Sequence, residues 1–344
     1  MDARSREVLR LIVQLHLASG EPVGSSTIAR NMKQACSPAT VRNIMAALEH
    51  MGCLEQPHTS AGRIPTDDGY RVYVDSLMGP EDLSAEEKAV IASELRPCVR
   101  LPAALMENAC HLLSRLSGNV GFAVAPSFDQ TRMRRIEFVR LTRIRVLVVL
   151  IAYSGLVTNR VIDFPEELTR AELQSCANYL NTHFSGMTLR EIRTRLLDLM
   201  RQERTLYDSL LRRVVALGQK ALSGNESDGN RVFLDGTSNI LDLPELADVA
   251  RMRAILRAFE EKSRLVRILN ACIEEEGLHV LIGHENDDPD LHRLSLVAVG
   301  YGLDDDTRWG LGVMGSTRMR YARVVALVGQ VARSVRSALT QLNA

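Results

Sequence analysis

Apolar residues recur every three or four positions from Ser5 to Ser19, at Val8, Leu9, Ile12 and Val13 with His16 on the same stripe, and the run stops at Gly20 ahead of Pro22. That period predicts an amphipathic first helix. Ser25 is placed to cap a short second helix through Thr27, Ile28 and Met32. Ser37-Pro38 is the sharpest helix start in the chain. It offers a hydroxyl to an unpaired N–H, then a proline at the first helical position, where its missing donor is harmless. Val41, Ile44, Met45, Leu48 and Met51 form the next stripe, with Gly52 as the stop. Cys53 to Pro57, a polar turn from His58 to Gly62, and Arg63 to Pro65 read as a two-stranded hairpin. Thr66 then caps a helix through Tyr70, Val74 and Leu77. Three helices and a hairpin in about 65 residues predict a winged helix-turn-helix.

Further along, Ser84 and Glu87 stand in capping-box positions for a connecting helix to Leu95, and another helix follows from Pro102 to Leu116. Strands are predicted over Ile136 to Leu141, Ile144 to Tyr153 and Leu156 to Phe164, the last two joined at Ser154-Gly155 and paired antiparallel. Helical periods return from Leu168 to Phe184 and from Leu189 towards Leu217. Residues 223–230 are a polar loop, Val232 to Leu234 a strand, and Pro244 to Arg257 a helix. Strand patterns then recur at Leu265 to Ile268, Val280 to Gly283, Leu294 to Tyr301 and Trp309 to Met314, before a closing helix from Arg320. A strand-rich section thus occurs twice around a mainly helical stretch, as if one domain were inserted in another.

Composition adds bounds. At 344 residues the chain has room for two or three domains. It is 46% hydrophobic, 24% charged and only 4% aromatic, so its cores rest on aliphatic side chains. Forty-two basic and 42 acidic residues cancel, and any attraction to nucleic acid must therefore be local. Residues 29–64 carry four basic and two acidic side chains, a small local excess. The N-terminus lacks a secretory apolar stretch, and the longest apolar run, Val146 to Tyr153, is too short to span a bilayer as a helix. A soluble, cytoplasmic protein is expected, with no membrane partner. The six cysteines lack Cys-x-x-Cys spacing and read as reduced, buried thiols.

The helix from Pro38 carries the most specific chemistry. Its apolar back leaves Ala39, Thr40, Arg42 and Asn43 on the other face, after Ser37 at the cap. Arginine is suited to the O6/N7 edge of guanine and asparagine to the N6/N7 edge of adenine, while small side chains meet thymine methyls or phosphates. Arg63 at the foot of the hairpin is a candidate for a minor groove or a phosphate, and Thr59 and Ser60 for phosphates. Double-stranded DNA is the partner these residues point to.

Other signals carry less. Gly310 to Gly315 matches G-x-G-x-x-G, yet no acidic residue follows Asp306, so the second strand of a dinucleotide fold has no ribose partner. His279, His284, Glu285, Asp287, Asp288 and His292 cluster without helical metal-ligand spacing. Arg308, Arg318, Arg320, Arg323, Arg333 and Arg336 alternate with aliphatics and read as the wet face of a packed helix. No nucleophile elbow or Walker loop is present, so no catalytic residue, metal or cofactor is expected, and the protein is read as not an enzyme.

The runs GEPVGSSTIA (20–29), SPATVRNIMAALE (37–49) and LEQPHTSAGRIPTDDGYRVYVD (54–75) resemble the signature of the HrcA-type heat-inducible transcription repressors. GLVTNRVIDFP (155–165), IGHEN (282–286) and GVMGSTRMRYARV (312–324) extend the likeness along the chain, with Ser316 where that family is expected to have proline. The resemblance implies an α+β protein with a winged helix over 1–78, a linker helix over 79–101, and a GAF-like domain over 102–186 and 263–344. A mainly helical dimerising domain would be inserted at 187–262. It further implies a homodimer that represses chaperone operons at an inverted-repeat (CIRCE) operator, loses DNA on heat stress, and is maintained by the GroE chaperonin. The alternative is a regulator that senses a ligand in the GAF-like pocket.

Overall fold

In the computed structural model the described residues are all but 59–60, 97–101, 126–127, 154–156, 203–208, 223–230, 241–247, 262–263, 265–267, 270–275, 303–307 and 344. Asp2 accepts the Ser5 N–H and opens α1 (Ala3–Ser19), two residues before the predicted start. Its apolar stripe packs with α2 (Ser25–Asn31) and α3 (Pro38–His50) around Val8, Leu9, Ile12, Ile28, Val41, Met45 and Leu48. Ser25 proves to be the first helical residue of α2, and Gly24 the cap. The wing strands β1 (Leu54–Glu55) and β2 (Ile64–Pro65) pair antiparallel, Leu54 opposite Pro65. Arg63 and Val23 exchange both backbone hydrogen bonds at 2.9 Å, which ties the wing to the α1–α2 connection. Gly62 permits this approach, because a Cβ there would lie 2.4 Å from the Val23 carbonyl.

Thr66 accepts the Gly69 N–H and starts α4 (Asp67–Val72), which continues as a π-turn over Tyr73–Leu77. The expected capping box is present at α5 (Ala85–Leu95), with Ser84 and Glu87 bonded reciprocally at 2.9 and 3.1 Å. A five-stranded antiparallel sheet follows, built from β3 (Val120–Ala125), β7 (Arg231–Asp235), β8 (Gly277–Ile282), β9 (Leu294–Gly302) and β10 (Arg308–Ser316) in the order β7-β3-β10-β9-β8. α6 (Pro102–Ser117) and α11 (Tyr321–Asn343) cover one face through Leu105, Met106, Tyr321 and Val328. α10 (Val249–Glu260) covers the other, where Phe122, Ile255, Leu296 and Met314 meet.

No alternation marks β3 in the sequence, because both of its faces are buried: Val120, Phe122 and Val124 join one core, Ala123 and Ala125 the other. The glycine-rich run 310–315 lies inside β10, with Gly312 opposite Phe122 and Ala298. A Cβ on Gly312 would sit 2.2 Å from the Val297 carbonyl, so that glycine answers strand packing rather than a phosphate.

The domain boundaries require correction. β4 (Met133–Arg140), β5 (Arg145–Ala152) and β6 (Val157–Asp163) form a separate three-stranded sheet in that order, not part of the five-stranded one. Their inner positions Ile136, Val146, Val148, Leu150 and Ile162 share a core with α7 (Arg170–Phe184), α8 (Leu189–Gln202) and α9 (Ser209–Leu222). Asn181 seals the unit by accepting the Ile136 N–H and donating to the Ile136 carbonyl, at 2.8 and 3.0 Å. The inserted unit therefore runs over about 131–222 and packs a three-stranded sheet on three helices, whereas a boundary at 187 would cut it between α7 and α8. Local period identifies these strands but carries no information on which sheet they join. The predicted strand at Leu265 to Ile268 falls largely outside the described residues, and the described Arg264, Ile268 and Leu269 are helical.

Candidate DNA-reading surface

Ser37 Oγ accepts the Thr40 N–H at 3.1 Å and lies 2.9 Å from Thr40 Oγ1, so the cap also orients the first exposed hydroxyl of α3. Val41, Met45 and Leu48 are buried against α1 and α2. Ser37, Ala39, Thr40, Arg42, Asn43, Ala46 and Ala47 are exposed, which leaves one open face headed by polar groups. The side chains of Arg42 and Asn43 make no hydrogen bond or ion pair with described residues and are exposed. The predicted stripe is right except at Met51, which is half exposed just past the helix end.

Arg63 is placed differently from the expectation of a free groove-reaching side chain. Its guanidinium pairs with Glu49 on the last turn of α3, Nη2 to Oε2 2.9 Å and Nε to Oε2 3.0 Å, and its side chain is 19% exposed. The pair braces the wing against α3. Within the β1–β2 connection Gln56 donates from Nε2 to the Ala61 carbonyl at 3.1 Å. Thr59 and Ser60 lie outside the described residues.

Residues that position the winged helix on the body escaped the sequence reading. Arg71 on α4 pairs with Glu285 and Asp75, and donates to the Val280 carbonyl at the outer edge of β8. His284 Nδ1 meets Asp67 at 2.5 Å, and the His284 N–H donates to the same carboxylate at 3.0 Å. Glu87 of the α5 capping box pairs with Arg323 on α11. The Tyr70 ring packs tilted against Tyr321, centroids 5.9 Å apart, and the Tyr321 hydroxyl is held by Thr317 and Ser295 at 2.8 Å. Asp288 and Asp290 are engaged within the body instead, both on Arg264. Among the described residues no group of three or more His, Cys, Asp or Glu is arranged for a metal ion.

Known proteins bear on this arrangement. Residues 1–76 match the winged helix-turn-helix transcription repressor domain, HrcA DNA-binding, and residues 103–325 match the HrcA protein C-terminal domain. The chain belongs to the HrcA family. It is 41% identical over 332 residues to the heat-inducible transcription repressor HrcA of Geobacter sulfurreducens (strain ATCC 51573 / DSM 12127 / PCA), covering 96% of each chain. It is 36% identical over 349 residues to the repressor of the same name from Anaeromyxobacter sp. (strain K), covering 100% of this chain and 98% of that one. A crystal structure titled only as a hypothetical protein superposes with a TM-score of 0.63 at 22% identity, covering 100% and 98%, and so shares the fold. As an HrcA-family protein the chain is a winged-helix transcription repressor and not an enzyme. In this member of the HrcA family the IGHEN run holds α4, with Glu285 on Arg71 and His284 on Asp67. Among the described residues no helix is long and apolar enough to cross a membrane.

Proposed function

We propose that two copies of this chain form a cytoplasmic dimer that binds an inverted-repeat operator upstream of chaperone genes and represses them. The observation that carries this reading is the open face of α3, where Arg42 and Asn43 stand unengaged among the described residues behind a capped first turn. Arg42 reads a guanine and Asn43 an adenine in the major groove, while Ser37, Ala39 and Thr40 meet phosphates or a thymine methyl. Thr59 and Ser60 reach the flanking backbone from the wing. Arg63 acts mainly by holding the wing at its angle to α3, and meets DNA only where the Glu49 pair opens.

The inserted unit supplies the dimer. Outward positions of its sheet form the cross-strand row Val139-Leu147-Val161 and the pair Ile151-Val157. Val139, Val157 and Val161 are 46%, 52% and 50% exposed, aliphatic positions on a face they share with Arg135, Glu137 and Asn159, the mixed apolar and polar surface that a two-fold partner can cover. The five-stranded domain is the GAF-like part that spaces the two heads. Heat displaces the heads by loosening the partly exposed ion pairs at their junction, and the GroE chaperonin restores the folded form.

Gel shift on a palindromic duplex tests the reading. Wild type shifts the inverted repeat and not a single half-site at the same concentration; equal affinity for both sinks the dimeric reading. Heated protein regains the shift only with GroE present, and unaided recovery sinks the chaperonin part.

A further inference from the structure

Arg42, Ala46 and Glu49 stand at positions i, i+4 and i+7 of α3 and so lie on one line along its surface. Arg42 and Ala46 are exposed, and Glu49 is half-buried where the wing meets the helix. The line that begins at the candidate base-reading arginine therefore ends on the Glu49–Arg63 pair, with only the methyl group of Ala46 between them.

Both bonds from Arg63, through Nε and Nη2, go to the same oxygen, Oε2 of Glu49. The Arg63 backbone is fixed by its two bonds with Val23 and by the close approach at Gly62. Its guanidinium thus changes partner by rotation of the side chain alone, with the wing in place. Side-chain exposures of 19% and 36% leave the pair open to water, where ion pairs are weak and exchangeable. A phosphate offers a guanidinium the same fork of acceptors as a carboxylate does. Exchange on DNA is nevertheless unfavourable, because it leaves the Glu49 carboxylate unpaired beside the phosphates, like charge against like.

We propose that Glu49 is a built-in substitute for a DNA phosphate: it keeps the Arg63 guanidinium occupied in the complex and holds the affinity of the winged helix for any duplex below what its arginines allow. Arg63 is one of only four basic side chains over residues 29–64, so cancelling it removes a large share of the local attraction. A repressor has to leave its site as well as find it, and a moderated backbone term serves release. The proposal rests on the reading of α3 as the DNA-facing helix.

Gel shift of the full chain, on the inverted-repeat duplex and on a scrambled duplex of the same composition, tests this at several salt concentrations. Glu49→Gln keeps an oxygen that accepts the Arg63 N–H, so the wing stays braced while the negative charge is gone. Affinity for both duplexes is expected to rise about tenfold for each chain bound, with a salt slope steeper by about 0.9, as one added phosphate contact requires. Glu49→Ala repeats the gain at a helical position that alanine suits. Arg63→Gln, added to either variant, removes it. Unchanged or weaker binding in both Glu49 variants overturns the proposal and leaves the pair as a brace. A gain that survives Arg63→Gln overturns it too, since loss of Glu49 repulsion then accounts for it. So does a gain on the inverted repeat alone, because a phosphate contact carries no base preference. Arg42→Ala binding as tightly as wild type removes the reading of α3 and this proposal with it. Weaker binding by Arg42→Ala, with no change in Glu49→Gln, removes this proposal alone.

Discussion

Arg71 and Glu285 are 214 positions apart in sequence and meet at 2.7 Å, Nε to Oε1, where α4 of the winged helix lies on the β8 edge. Side-chain exposures of 28% and 34% leave the pair partly screened by water. A double-mutant cycle on Arg71→Gln and Glu285→Gln, read by urea unfolding, is expected to give a coupling of about 1 kcal/mol. A coupling indistinguishable from zero means that this pair adds nothing to the junction, which is then held by the His284–Asp67 and Glu87–Arg323 contacts and by Tyr70 against Tyr321.

Base reading by α3 predicts a sharp division among its exposed residues. Arg42→Ala and Asn43→Ala should each cost about 1–3 kcal/mol of operator affinity, read by titrated gel shift, and relax the preference for one base. Thermal unfolding of both variants should match wild type, since neither side chain packs. Operator affinity equal to wild type in both variants rules out α3 as the reading helix.

The cap separates stability from recognition. Ser37→Ala removes the acceptor for the Thr40 N–H and is expected to lower stability by about 1 kcal/mol, whereas Ser37→Asp should retain it. Circular dichroism melting of the two variants provides the comparison.

Dimerisation through the open face of β4–β6 predicts that Val161→Lys sediments as a monomer with wild-type helical content. The residue is half exposed in the single chain, so the substitution leaves the monomer's own packing intact. A dimer that survives both Val161→Lys and Val139→Lys places the interface elsewhere.

Acid should act on the α5–α11 contact. The Ser84 N–H, then Arg323, hold the Glu87 carboxyl below its ordinary value of 4.5. Because the folded pKa is the lower one, the stability it contributes is complete above the unfolded value and is lost as pH falls through the folded one. Tm measured between pH 6 and 3 should therefore fall less steeply in Glu87→Gln than in wild type. Identical slopes would mean that Glu87 takes no part in acid unfolding.

The legible parts of the chain were those in which cause and effect lie within a few residues. A cap at Ser37, a proline at the next position and a stripe at Val41, Met45 and Leu48 specify both a helix and its free face, which is why the exposure of Arg42 and Asn43 is legible in the sequence. Arg63 was placed correctly at the foot of the wing. Its partner was not, because Glu49 is fourteen positions away and is brought near only by the turn.

The amino-acid sequence by itself determined the winged helix, the capped connecting helix, most of the strands and the family. Only the tertiary structure decided that β4 to β6 leave the main sheet, that β3 is a strand buried on both faces, and that IGHEN docks α4. Helix caps and apolar periods act through neighbours in the chain. Sheet membership and the pairing of Arg71 with Glu285 depend on which distant surfaces are buried together, and no local pattern encodes that choice.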